Sequence, residues 1–294
     1  MLPVLFEIPT PWGSPIAIYS YGLMLGLALV VGYQLVLRMA LRRGEGAASA
    51  GGLTEATVGN AYIVTAVLGL VGARLLYVMF NRELLQDSGA AWYDVTAGGV
   101  SAYGGFLGGL LGAAIYLKLK GASLLEFADA AAPALGAGTV LTRLGCYLYG
   151  SDFGTRLAED APGWLRSLGT FPNGSPPFHH HHARYGLAPD AAASFPVHPT
   201  QLYEGLFGVV LLLIALSVLQ ARRFRGQVIL ITAGAYGSFR FLIEYVRDDP
   251  ERGHAMGFSS PQLFSLLMVP TCAVIYSSLL SRHRRQQASK VASA

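Results

Sequence analysis

Charged side chains are scarce. Asp, Glu, Lys and Arg make up 13% of the 294 residues, whereas an ordinary soluble domain carries about 25%. That shortage excludes a conventional soluble fold. Cysteine is nearly absent too: Cys146 and Cys272 are the only two, which excludes a disulfide-stapled secreted scaffold. Both fall in or near apolar runs, where isolated thiols usually just pack, so no bridge between them is expected. No linker, charge run or repeat divides the chain. The reading is therefore one transmembrane domain over 1–294, and the lack of inverted repeats speaks against a transporter. The opening "MLPVLFEIPTPWGSPI" has neither a basic n-region nor a small-residue cleavage site beside its apolar part. No removable signal peptide is expected, and the first span serves as the insertion signal.

Long apolar runs are what the sequence does have. Hydrophobic residues make up 53% of the chain and are bunched at about 17–38, 58–80, 103–119, 125–147, 201–219, 228–246 and 260–281, each close to the ~20 residues a bilayer requires. The fold expected is an all-α polytopic membrane protein of about seven transmembrane helices. The third run is short and glycine-rich, so a count of six stays open if it only dips into the membrane. The third and fourth runs have the weaker hydropathy of spans that line a site.

Basic residues test this layout independently. Arg38, Arg42, Arg43, Lys118, Lys120, Arg222, Arg223, Arg225, Arg282, Arg284, Arg285 and Lys290 fall on one side; Arg82, Arg156, Arg166, Arg184, Arg247 and Arg252 fall on the other. The positive-inside rule then puts the N-terminus in the periplasm and the C-terminus in the cytoplasm. The net charge of +4 is thus mostly topology, and no nucleic-acid partner is implied. The segment 148–200, between spans four and five, becomes a periplasmic head, and its many prolines suggest irregular, partly extended chain. Its "FHHHHARYG" is read as a solvated loop and no metal site is assigned, because four consecutive histidines cannot all point one way. The basic tail "SRHRRQQASK" suits contact with anionic headgroups.

Inside or at the edges of the spans stand Tyr21, Arg74, Asp129, Arg143, Gln201, Glu204, Arg240 and Glu244. Each membrane arginine costs roughly 2.5–3.5 kcal/mol on insertion scales, so such residues pair or bind something. "FRFLIEYVR" places Arg240, Glu244 and Arg247 at i, i+4 and i+7 of one helical face. Two readings stand. Arg240–Glu244 is a structural pair, or the arginines hold an anion, for which a lipid headgroup phosphate is the candidate at that depth. Asp129 lies too far before Arg143 to neutralise it, while Glu204 is available. The glycines of "GGVSAYGGFLGGLLG" allow either close helix–helix packing or a groove for a lipid chain.

The motifs "YGLM" (21–24), "RLLYV" (74–78), "GGVSAYGGFLGG" (98–109), "RLGCYLYGSDFG" (143–154), "HPTQLYE" (198–204) and "RFLIEYVR" (240–247) occur in that order. In this the chain resembles the bacterial prolipoprotein diacylglyceryl transferases over essentially its full length. The resemblance implies a protein of the bacterial inner membrane and no cofactor. It implies transfer of a diacylglyceryl group from phosphatidylglycerol to the thiol of a lipoprotein signal-peptide cysteine (the lipobox cysteine), with glycerol phosphate leaving. Arg143 and Arg240 match the two essential arginines that hold the phosphate. Tyr21, Asp129, Gly154, Gln201, Glu204 and Glu244 match other site or motif positions. Arg74 is counted with this substrate-binding set for its place in a span, and Cys146 because it lies one turn beyond Arg143.

Departures from the family pattern fall in the same motifs. Typical members read "GRIGNFINGE..G"; here Thr142 replaces a glycine, Cys146 and Tyr149 replace asparagines, and Ser151 stands where the glutamate would be, with Asp152 one position on to compensate in part. Tyr103 stands where those members have a histidine proposed as the base. A free tyrosine titrates near 10 and a free histidine near 6.5, a gap of about 3.5 pH units or roughly 5 kcal/mol unless nearby arginines depress the phenol. His198 is the alternative base. A relative that binds a phospholipid headgroup or lipidated peptide without turnover is the alternative function.

Overall fold

The computed structural model describes residues 3–9, 13, 15–41, 53–82, 93, 99–248 and 254–292. Seven of its helices are long and apolar enough to cross a membrane: α1 Ser20–Leu41, α2 Glu55–Phe80, α3 Ala102–Leu119, α4 Leu124–Tyr149, α7 Thr200–Gln220, α8 Gln227–Ile243 and α9 Ser260–Ala292. The short third run is thus a full helix of 18 residues, and a six-span layout is set aside. Two shorter helices, α5 Gly163–Leu168 and α6 Pro176–Tyr185, lie between α4 and α7. Strands β1 Val4–Ile8 and β2 Ile16–Tyr19 form an antiparallel hairpin that runs directly into α1, and β3 His254–Ala255 pairs with β4 Phe258–Ser259 just before α9. Much of the leucine and valine surface of the long helices faces outward, Leu206 at 68% and Leu213 at 57% exposed. Contact with lipid instead of water makes that exposure favourable.

The chain forms two compact units, Tyr33–Ala131 and the pair of segments Met1–Gly32 with Ala132–Ala294. In the first, α2 and α3 cross through glycine faces. A methyl group added at Gly72 or Gly104 would collide with the other residue's carbonyl oxygen, and one at Gly108 with that of Leu68. These glycines therefore serve close backbone approach; α2 fills the face that a lipid groove would need. Ser101 N–H donates to Ala73 O at 3.0 Å, and Arg74 Nη1 donates to Gly99 O at 2.9 Å with its guanidinium 5.6 Å from the Tyr77 ring. Buried Arg74 thus ties down the chain that leads into α3.

In the second unit α1 meets α4 at Gly145, whose missing Cβ would lie 3.2 Å from Tyr21 Cα. Helix α4 meets α7 where Gly136 and Gly208 let the backbones touch, and α7 meets α8 through the stacked rings of Phe207 and Phe239, 3.9 Å apart. The segment 148–200 is irregular over most of its length, with isolated bridges at Arg156–Val197 and Pro172–Ala193, and carries the two short helices within it. Ser175 caps α6, its Oγ accepting from Phe178 N–H at 3.4 Å; Pro176 and Pro177 occupy the first turn, and Gly186 closes the helix at φ 66°. Proline at a helix start gives up only N–H groups that have no intrahelical partner there. The histidine run is therefore helical, not a solvated loop, and His181 is fully buried with Nδ1 accepting from Phe195 N–H at 3.1 Å. Phe153, Phe171 and Val197 form the small core beneath it, packed against Tyr147.

Candidate functional site

The end of the second unit where α4 and α8 finish and α7 begins holds a closed ring of charges. From the last two turns of α4, Arg143 reaches Glu204 in the first turn of α7, Nη2 to Oε2 at 2.8 Å. The other oxygen of Glu204 takes Arg247 Nη1 at 2.8 Å. Asp152 completes the circuit: Oδ2 lies 3.3 Å from Arg143 Nη1, and Oδ1 accepts from Arg247 Nη2. Beside the ring, Arg240 Nη1 donates to Glu244 Oε2 at 2.5 Å along α8. Three guanidinium groups thus meet three carboxylates, which offsets the cost of holding arginines at a membrane level.

Local chain geometry explains how these groups arrive. After α4 the backbone turns back through Gly150 at φ 91° and Asp152 at φ 59°; the latter is a left-handed conformation that aspartate tolerates better than most residues. Thr200 Oγ1 donates to Asp152 O at 2.6 Å and Gln201 Nε2 to Ser151 O at 2.5 Å. The "HPTQ" start of α7 therefore clamps the turn that carries Asp152. Gly154 pairs with His198 through its N–H, 3.0 Å from His198 O, and forms a bridge with Arg247. A Cβ there would fall 2.7 Å from His198 Cβ and 2.8 Å from His198 O; only glycine lets three chain segments meet. Arg247 departs from the sequence expectation. The helix tightens into a 3₁₀ turn over Glu244–Val246 and Arg247 leaves it extended, at φ −94° and ψ 147°, so it points into the ring and not along the Arg240–Glu244 face.

The ring has a closed half and an open half. Side-chain exposure is 3% for Arg247 and 2% for Glu204, but 18% for Arg143 and 28% for Asp152, while Arg240 retains 13%. Arg143 and Arg240 are the arginines with accessible edges. Burial alone would raise the Asp152 carboxyl, but the guanidinium groups of Arg143 and Arg247 outweigh it and hold that carboxyl well below the usual range. Cys146 is buried with Sγ 3.8 Å from Arg143 Nη1, and both it and Cys272 are unbonded. Tyr236 of α8 lies within electrostatic range of Glu204, Arg143, Arg240 and Arg247.

The sequence that builds this site has known relatives. The model of the prolipoprotein diacylglyceryl transferase family matches residues 3–277. The chain belongs to that family. A phosphatidylglycerol–prolipoprotein diacylglyceryl transferase of Vibrio atlanticus is 34% identical over 272 residues, covering 91% of this chain and 86% of that protein. One of Geobacter sulfurreducens is 33% identical over 264 residues, covering 87% and 90%, and one of Clostridium perfringens is 28% identical over 275 residues, covering 93% and 95%. With seven apolar helices, family membership makes this a multi-pass bacterial membrane protein.

Of the residues singled out from the sequence, Arg143, Glu204 and Gln201 converge at the ring, with Gly154, His198 and Cys146 beside it and the Arg240–Glu244 pair next along α8. Tyr21 stands at the α1–α4 contact. Tyr103, in the first turn of α3, belongs to the other unit together with Arg74 and fully buried Asp129. His198 is half-buried, with Nδ1 3.3 Å from Tyr203 Oη, and burial pushes its imidazole below the ordinary value. Sequence reasoning missed Thr200 and Tyr236, and counted Asp152 and Arg247 only in passing. Thr200 was legible as part of "HPTQLYE", and Asp152 as the acid nearest the end of a span that carries an arginine.

Proposed function

We propose that this chain is a phosphatidylglycerol–prolipoprotein diacylglyceryl transferase. The observation that carries the reading is the open edge of the charge cluster, formed by Arg143 and Arg240 at one end of the helix bundle. Each guanidinium has five N–H donors, so an ion pair leaves some to meet a phosphate from the accessible side. The acceptor is the thiol of a signal-peptide cysteine. As its proton is removed, sulfur bonds to the glyceryl carbon of phosphatidylglycerol, the carbon–oxygen bond to phosphate breaks, and glycerol phosphate departs with the electron pair. Positive charge facing the leaving phosphate stabilises the charge that develops there. By the resemblance of their motifs, Arg143, Arg240 and Tyr103 are assigned to catalysis, and Tyr21, Arg74, Asp129, Gly154, His198, Gln201, Glu204 and Glu244 to substrate binding or positioning, while Cys146 lines the site beside Arg143. His198, held neutral, is the alternative proton acceptor.

The twelve basic residues on one side against six on the other support a periplasmic N-terminus and a cytoplasmic C-terminus. The chain then acts as one transmembrane domain with 148–200 as its periplasmic head, and the arginine edge lies at the outer leaflet. Substitutions at Tyr103, Cys146, Tyr149 and Ser151 favour a second reading, a headgroup binder without turnover. Purified protein supplied with phosphatidylglycerol and a lipobox peptide separates the two: the transferase releases glycerol phosphate and leaves a thioether peptide, and the binder does neither. A reporter at the C-terminus should read cytoplasm and one inserted at 173–176 periplasm; the reverse would put the arginine edge in the wrong leaflet.

A further inference from the structure

The opposite end of the second unit carries an open surface pocket of about 440 Å³, lined by exposed Arg223, Arg284 and Gln287 and by half-buried Leu280 and His283. Helix α7, 21 residues long, spans about 30 Å at 1.5 Å per residue. Glu204 stands in its first turn and Arg223 just past its last, so the pocket is about a membrane thickness from the charge ring. Its wall on α9 is one helical face, since Leu280, His283, Arg284 and Gln287 are spaced i, i+3, i+4 and i+7. Its other wall, the loop between α7 and α8, is anchored. Arg223 N–H donates to Gln227 Oε1 at 2.7 Å, and the Phe224 ring packs 5.3 Å from Tyr276 and 6.1 Å from His283. No carboxylate lines the pocket, and among the described residues no ion pair joins Arg223 or Arg284 to an acid.

We propose that this pocket is a second phosphate site, separate from the charge ring, in which Arg223 and Arg284 clamp a phosphate while Gln287 and His283 offer further hydrogen bonds. Two guanidinium forks facing one space with no acid between them match a phosphate's charge and oxygens. The position at the membrane end of three helices, with Leu280 in the wall, suits the headgroup of an anionic lipid in the leaflet on that face. A soluble phosphate ester presents the same anion.

Native mass spectrometry of the detergent-solubilised chain titrated with dioleoyl phosphatidic acid tests this, with labelled pyrophosphate as the soluble arm. The charge ring takes at most its own lipid, so Arg223→Gln/Arg284→Gln should retain one lipid fewer than wild type, with affinity for the lost one reduced at least tenfold. The same difference should persist in an Arg143→Lys background. Gln287→Glu, which sets an acid in the pocket of an otherwise unchanged surface, should lose the same lipid even if the double variant folds poorly. Retention of lipid assigns the headgroup as occupant. Arginine-dependent binding of pyrophosphate without lipid assigns a soluble phosphate. If wild type, the double variant and Gln287→Glu hold lipid and pyrophosphate alike, there is no site.

Discussion

Arg143 Nη2 lies 2.8 Å from Glu204 Oε2, an ion pair that joins the end of α4 to the start of α7. It also fixes the direction of the remaining Arg143 donors. Glu204 is 2% exposed and serves Arg247 with its second oxygen, so one carboxylate neutralises parts of two guanidinium groups where water is scarce.

Glu204→Gln should therefore be among the most damaging single changes at the site. Removing one member of a buried charge network costs about 3–5 kcal/mol, and thermal unfolding in detergent should register it. Asp152→Asn keeps the size and tolerates the left-handed backbone, so it isolates the charge. With over a quarter of the Asp152 side chain accessible, the expected loss is about 1 kcal/mol. The order matters: a larger loss at Asp152 than at Glu204 would contradict the assignment of open and closed halves.

His181 gives the head a dependence on pH. Burial, with His180 and Arg156 nearby, pushes its imidazole down to about 4, against an ordinary value near 6.5. Between those values the unfolded chain binds a proton that the folded chain does not. Stability then falls as pH drops from about 6.5 towards 4, by up to about 3 kcal/mol. His181→Asn, whose side-chain oxygen can still accept from Phe195 N–H, should flatten that segment of the unfolding curve. A slope identical to wild type in the variant would show that His181 is not the group responsible.

Cys146 packs beside Arg143 and is expected to be a spectator, filling volume that asparagine fills in typical relatives. Cys146→Ser and Cys146→Asn should each keep transfer within about threefold, an effect of about 0.7 kcal/mol on the barrier. Loss of activity in both, together with a lipid adduct trapped on the wild-type thiol, would instead make the mechanism covalent.

Hydropathy made the seven helices legible, and the cost of charge at membrane depth made Arg143, Arg240, Glu204 and Glu244 stand out. The closure of the ring was not legible. Asp152 enters it through a left-handed turn, and Arg247 through a change from α to 3₁₀ geometry; neither leaves a periodic trace in sequence. Glu204 and Asp152 each serve two arginines, a sharing that residue types and spacing do not reveal. The histidine run departs for another reason. "SPP" before the histidines and Gly186 after them are helix boundaries, yet four consecutive histidines in a proline-rich segment read as a loop. Proline strains a helix interior but starts a helix well, so position decides what composition does not.

The most direct test of the central claim is glycerol phosphate release from phosphatidylglycerol by wild type, Arg143→Lys and Arg240→Lys, measured with a lipobox peptide and with folding verified for each variant. Lysine keeps the charge but loses the planar fork. Wild type should release glycerol phosphate in step with thioether formation, and each lysine variant should fall by at least about a hundredfold, near 2.7 kcal/mol. Release by the lysine variants at the wild-type rate, or no release by a folded wild-type protein, would contradict the account.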